Sequence, residues 1–122
     1  MSVENKKVDR LKFEIEELEK VIILKLIGDL DMYTLPFAKE KIKQILSDSK
    51  ISRIIMDLDK MDYIDSSGLG FFIGTLKKLR DHGGDLKLLN LNSYIKGIFR
   101  LIQLDFVIEI CENRETALEK LK

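Results

Sequence analysis

The chain has 122 residues, 45% of them hydrophobic and 34% charged, a balance that excludes both a disordered chain and a membrane-embedded one and suits one domain with a single core. Twenty-one basic residues offset 21 acidic ones, so no net charge draws the chain to nucleic acid or to an anionic membrane. The single cysteine, Cys111, has no internal disulfide partner, and with His82 the only histidine no Cys/His metal cluster can form.

No cofactor or resident metal is therefore expected, and Cys111 is read as a packed small hydrophobe. No apolar run approaches bilayer-spanning length, and the polar residues 2–7 lack the apolar core of a signal peptide. The expected location is the cytoplasm.

In chain order, residues 10–16 alternate, with Leu11, Phe13 and Ile15 opposite Lys12, Glu14 and Glu16, as in a strand with one wet face. A turn at 18–20 leads to 21–27, an almost continuously apolar strand that pairs with the first. Gly28-Asp29-Leu30-Asp31 ends it. Thr34 is placed to cap the next helix, Pro36 suits its first turn, and Ala38, Ile42, Ile45 and Leu46 form its apolar stripe, with Lys39, Lys41 and Lys43 outward.

Residues 53–58 form a buried strand, and Leu69, Phe72, Ile73, Leu76 and Leu79 predict a helix over 67–81 that Gly83 and Gly84 stop. Of the consecutive Phe71 and Phe72, one is expected in the core and the other toward the helix edge or a partner. A strand at 85–89 follows, then a helix capped by Asn92 or Ser93 and lined by Ile95, Ile98, Phe99 and Ile102. A last strand at 106–110 and a helix at 114–121 complete the pattern.

The order β-β-α-β-α-β-α-β-α predicts an α/β fold: a mostly parallel sheet of four to five strands, an antiparallel N-terminal edge strand, and about four helices. One domain over residues 1–122 is expected, without internal repeat or linker. Loops at the carboxyl ends of the strands gather on one side, which brings the loop 28–34 beside the loop 58–66 and Asp31 toward Ser66.

The chemistry concentrates in the motif loop 59–70, above all in Asp65-Ser66-Ser67-Gly68-Leu69-Gly70. A serine at a strand-to-helix junction sits beside free backbone N–H groups and the positive end of the helix dipole, a favourable place for a phosphate. Simple helix capping by Ser66 and Ser67 is the structural alternative. Gly68 and Gly70 are explained by close approach of another backbone or chain to the helix start.

Three enzymatic readings compete. A nucleophilic Ser66 lacks the G-x-S-x-G context, and His82 lies at the far end of the same helix, on the order of 20 Å away. A phosphate-binding loop lacks the Gly-Lys-Ser/Thr ending. Asp57, Asp59, Asp62 and Asp65 could gather Mg²⁺, or they are solvated loop acids.

The string Asp65 to Gly70, preceded by the strand at 53–58 and by Gly28 to Asp31, resembles the STAS-domain family of bacterial anti-sigma factor antagonists, and the likeness in element order covers nearly the whole chain. That resemblance implies a binding protein rather than an enzyme. It implies that Ser66 is phosphorylated by a partner that is both anti-sigma factor and serine kinase, that the unmodified form binds this partner and frees the sigma factor, and that a PP2C-type phosphatase restores it. Asp31 takes the place of a partner-contact or phosphorylation-supporting acid, and Asp65, Ser66, Ser67, Gly68 and Gly70 are the expected partner-binding positions. A monomer or weak dimer is expected, with no nucleic-acid or membrane partner. The alternative within the family is a STAS module of another regulatory, stressosome-like or lipid-transport assembly, with a structural serine.

Physically, a phosphate adds about −1.5 to −2 charges, tolerable where helix N–H groups face it. Beside Asp31, Asp62 and Asp65 it makes the surface still more negative, so a partner matched to neutral Ser66 is repelled without any change of fold. Met32 and Tyr33, an apolar pair beside this site, are read either as exposed interface residues or as locally packed.

Overall fold

The computed structural model describes residues 10–122 and shows an α/β architecture; residues 2–7, read above for targeting, lie outside the described residues. Strands β1 (Leu11–Leu18) and β2 (Val21–Leu30) form the antiparallel hairpin, closed by Glu19 and Lys20 at φ 52° and 67°. The strands β3 (Arg53–Asp57), β5 (Asp85–Leu89) and β6 (Glu109–Cys111) extend the sheet in the order β1-β2-β3-β5-β6, parallel from β2 onward.

A sixth strand, β4 (Met61–Ile64), stands where the sequence predicts only loop. β2 is ten residues long and does not end before Gly28: residues 21–25 pair with β3, and Gly28 to Leu30 pair with β4. The register shifts between Gly28 and Asp29, a bulge that lets one strand serve two partners in succession. Gly28 has φ 110°, and a Cβ there would lie 2.1 Å from the carbonyl oxygen of Arg10. Only glycine fits both demands.

Helices α1 (Leu35–Leu46), α2 (Ser66–Asp81) and α3 (Ser93–Leu101) contribute Ile42, Leu76 and Phe99 to one core with Leu24, Met56 and Leu88 of the sheet. The fourth helix, α4 (Arg114–Lys120), covers a smaller cluster of Ile23, Ile55, Leu89, Cys111 and Ala117. Cys111 is thus a packed hydrophobe, and burial pushes its thiol up. On the same face the buried Lys87 pairs with Asp85 and Glu109 at 2.9 and 3.2 Å.

Three expectations need correction. Phe71 and Phe72 are both buried, because α2 packs against α1 as well as against the sheet, and Phe72 meets Phe99 at 5.7 Å between ring centroids. The predicted strand at 106–110 is a 3₁₀ turn (Leu104–Phe106) followed by the short β6, leaving Phe106 83% exposed; an apolar run of this length does not distinguish strand from turn. Thr34 flanks α1 without capping it: its hydroxyl donates to the Asp29 carbonyl at 2.9 Å and accepts from the Asp31 N–H at 3.0 Å. Among the described residues no helix is long and apolar enough to cross a membrane.

Candidate functional site

β4 lies parallel to the end of β2, so the loop after β2 and the start of α2 emerge side by side, as the topology predicts. The Asp65 N–H donates to the Leu30 carbonyl at 3.3 Å, which continues the ladder into the turn.

Asp65 is the N-cap of α2, a role the sequence reading gave to the serines. Its φ, ψ of −115°, −173° is extended, one carboxylate oxygen accepts from the Gly68 N–H at 3.1 Å, and the backbone oxygen accepts from Leu69 at 3.1 Å. The second carboxylate oxygen accepts from the Met32 N–H at 3.1 Å, across 33 residues of chain. One side chain thereby caps a helix and ties the neighbouring loop to it.

Ser66 is the first helical residue and is exposed; Ser67, the second, is half-buried at the edge of a groove between α1 and α2. Among the described residues the backbone N–H groups of Ser66 and Ser67 have no protein acceptor, and they lie at the positive end of a 16-residue helix. Gly68 is held against β2: a Cβ would sit 2.6 Å from the Leu30 carbonyl oxygen and 2.7 Å from Ile64 Cγ1. Close approach explains this glycine. At Gly70 a Cβ would meet nothing within 4 Å, so crowding inside the chain does not.

Asp31 is 5% exposed, and its carboxylate is engaged by its own loop and by Arg10. It accepts from the N–H groups of Tyr33 and Thr34 at 2.9 and 3.0 Å and from the Arg10 guanidinium, which also reaches Asp29 at 3.4 Å. Burial alone would push this carboxyl up, but the Thr34 N–H, Arg10 and the Tyr33 N–H together hold it below the ordinary carboxylate range. Asp31 therefore shapes the loop that Asp65 grips, and Met32 and Tyr33 are carried outward at 60% and 56% exposure.

The remaining acids do not assemble a cation site. Asp57 accepts from the Asp59 N–H and the Asn90 amide, and among the described residues no three His, Cys, Asp or Glu side chains converge as a metal would require. His82 caps the far end of α2, with its Nδ1 at 2.8 Å from the Lys78 carbonyl oxygen. Sixteen helical residues, about 24 Å, separate it from Ser66.

The family model for the STAS domain matches residues 12–117. An anti-sigma-B factor antagonist of Bacillus subtilis (strain 168) is 31% identical over 105 residues, covering 86% of this chain and 94% of that protein. Among solved structures, an anti-sigma factor antagonist from Mycobacterium paratuberculosis superposes with a TM-score of 0.81 at 21% identity, over 93% of this chain and 95% of the other. The Bacillus cell fate determinant SpoIIAA in its phosphorylated form superposes with a TM-score of 0.69 at 22% identity, over 91% and 100% of the two chains. At these identities the structural matches establish likeness of fold.

Proposed function

The chain belongs to the STAS-domain family, and from that premise we propose that it is a cytoplasmic anti-sigma factor antagonist, one domain over residues 1–122, whose unmodified form binds an anti-sigma factor that is also a serine kinase. Binding displaces the sigma factor and so regulates transcription. In the reverse step the kinase transfers the γ-phosphoryl group of ATP to Ser66 Oγ, the hydroxyl proton leaves and ADP is released; a PP2C-type phosphatase hydrolyses the ester. The chain itself catalyses neither step.

The observation that carries this reading is the presentation of Ser66: exposed on the first turn of α2, beside two unclaimed backbone N–H groups, on a turn braced by both oxygens of Asp65. Those donors suit a phosphate, and the brace leaves the fold no need to rearrange when one arrives. Ser67, Gly68, Gly70 and the exposed Met32 and Tyr33 surround the hydroxyl as the contact surface, while Asp31 supports the loop from beneath.

The test is to incubate the chain with ATP and the serine kinases of its own cell and to locate the phosphate by mass spectrometry. Modification at Ser66 is the expected result, and modification elsewhere with Ser66 untouched would overturn the proposal.

A further inference from the structure

Between α1 and α2 runs an open groove of about 430 Å³ that none of the described residues fills. Its floor is the buried Ile42, Phe71 and Thr75. Lys39 of α1 and Lys78 of α2 stand on its rims, both exposed. Neither makes an ion pair among the described residues, so both charges at this groove are open to a partner.

The α2 wall is made of Ser67, Gly70 and Gly74. A Cβ on either glycine would meet nothing within 4 Å, so no contact among the described residues calls for their smallness, and glycine weakens a helix interior relative to alanine. A second backbone arriving from outside would use it. From Ser67 to Lys78 the wall is about 16 Å long, the length of three helical turns.

We infer that this groove receives an amphipathic helix of the anti-sigma factor, its narrow apolar side against Gly70 and Gly74 and its acidic residues against Lys39 and Lys78. The inference rests on the partner-binding reading above and assigns that partner a second contact, continuous with the first because Ser67 belongs to both. Charge selects the occupant: two unneutralised cations flank a narrow apolar trough in a chain whose net charge is zero, which suits a local acidic match rather than a polyanion. A phosphate on Ser66, the neighbour of the Ser67 that lines the groove, repels the same acidic helix, so one modification acts on both contacts.

The test measures binding of the purified kinase that modifies Ser66 to the parent chain and to Lys39→Glu, Lys78→Glu, the double variant, Gly74→Leu and, as a control just beyond α4 on the other face of the sheet, Lys122→Glu. Each groove reversal is expected to weaken binding at least fivefold, the double variant at least thirtyfold, with a shallower salt dependence. Gly74→Leu fills the groove and is expected to lose at least tenfold with no fall in melting temperature, while Lys122→Glu binds as the parent does. Groove variants that bind like the parent while Ser66→Asp binds weakly would overturn the groove assignment alone; a parent chain that fails to bind would overturn the partner reading with it.

Discussion

Asp65 and Met32, 33 residues apart, are joined by a 3.1 Å hydrogen bond from the Met32 N–H to a carboxylate oxygen whose twin caps helix α2. The bond makes the two loops at the carboxyl ends of β2 and β4 one object, with Ser66 on its crest.

Removing that carboxylate should therefore do two things at once. Asp65→Ala loses the cap and the tether together and is expected to destabilise the chain by about 1–2 kcal/mol. Urea denaturation measures this. Phosphorylation of Ser66 should slow by more than the lost stability accounts for, since at most a few per cent of the chain is unfolded while every molecule has a loosened loop; equal rates for variant and parent would separate the tether from function.

Charge at Ser66 should be sufficient to switch binding. Ser66→Asp is expected to bind the kinase about tenfold or more weakly, equivalent to about 1.4 kcal/mol, while Ser66→Ala binds but cannot be switched. Circular dichroism should be the same for both variants and the parent. Calorimetric titration showing equal affinity for both would contradict an electrostatic switch.

Two glycines of one helix should respond to alanine in opposite senses. Gly68→Ala drives a Cβ into the Leu30 carbonyl and is expected to cost about 1–3 kcal/mol, because backbone on both sides must move. Gly74→Ala adds a methyl group in open space and is expected to stabilise by about 0.5–1 kcal/mol. Melting curves of the two variants give the comparison directly.

Acid should loosen the loop through Asp31. Its carboxyl titrates lower in the folded chain than in the unfolded one, so the unfolded state binds more protons in that range and stability falls with pH. The contribution is fully present above the ordinary carboxylate value near 3.8 and is lost as pH drops through the lowered folded value. Asp31→Asn should be less stable than the parent at pH 7 and show a flatter loss between pH 5 and pH 2, with Asp85 and Glu109, also held low by Lys87 and other partners, accounting for the remaining slope.

Much of this arrangement was legible in the residues. Period-two alternation in β1, the apolar run of β2 and the 3.6-residue stripe of α2 identify themselves, the run of β2 because that strand is buried on both faces. Strand β4 was not legible: Met61-Asp62-Tyr63-Ile64 buries only its two ends, and its pairing depends on a bulge at Gly28 that is distant in sequence. The pairing of the buried Asp31 was equally hidden, since its partner Arg10 lies 21 residues earlier. The capping role of Asp65 had a signal, an Asp three residues before a glycine N–H at a helix start, but the adjacent serines compete for the same assignment. Phe71 misled because a helix covered on two sides, by the sheet and by α1, buries a wider arc than a single stripe.

The brace at Asp65 also bears on time. A switch that must refold a segment to register a signal has a relaxation of its own, and that lag limits how fast it can be written or erased. Here both oxygens of the brace are engaged with Ser66 unmodified, so the crest is already in place and no mechanical step intervenes. On the proposed function, the lifetime of the stored state is that of a phosphate ester in water, and its clock belongs to the kinase and phosphatase that make and break it.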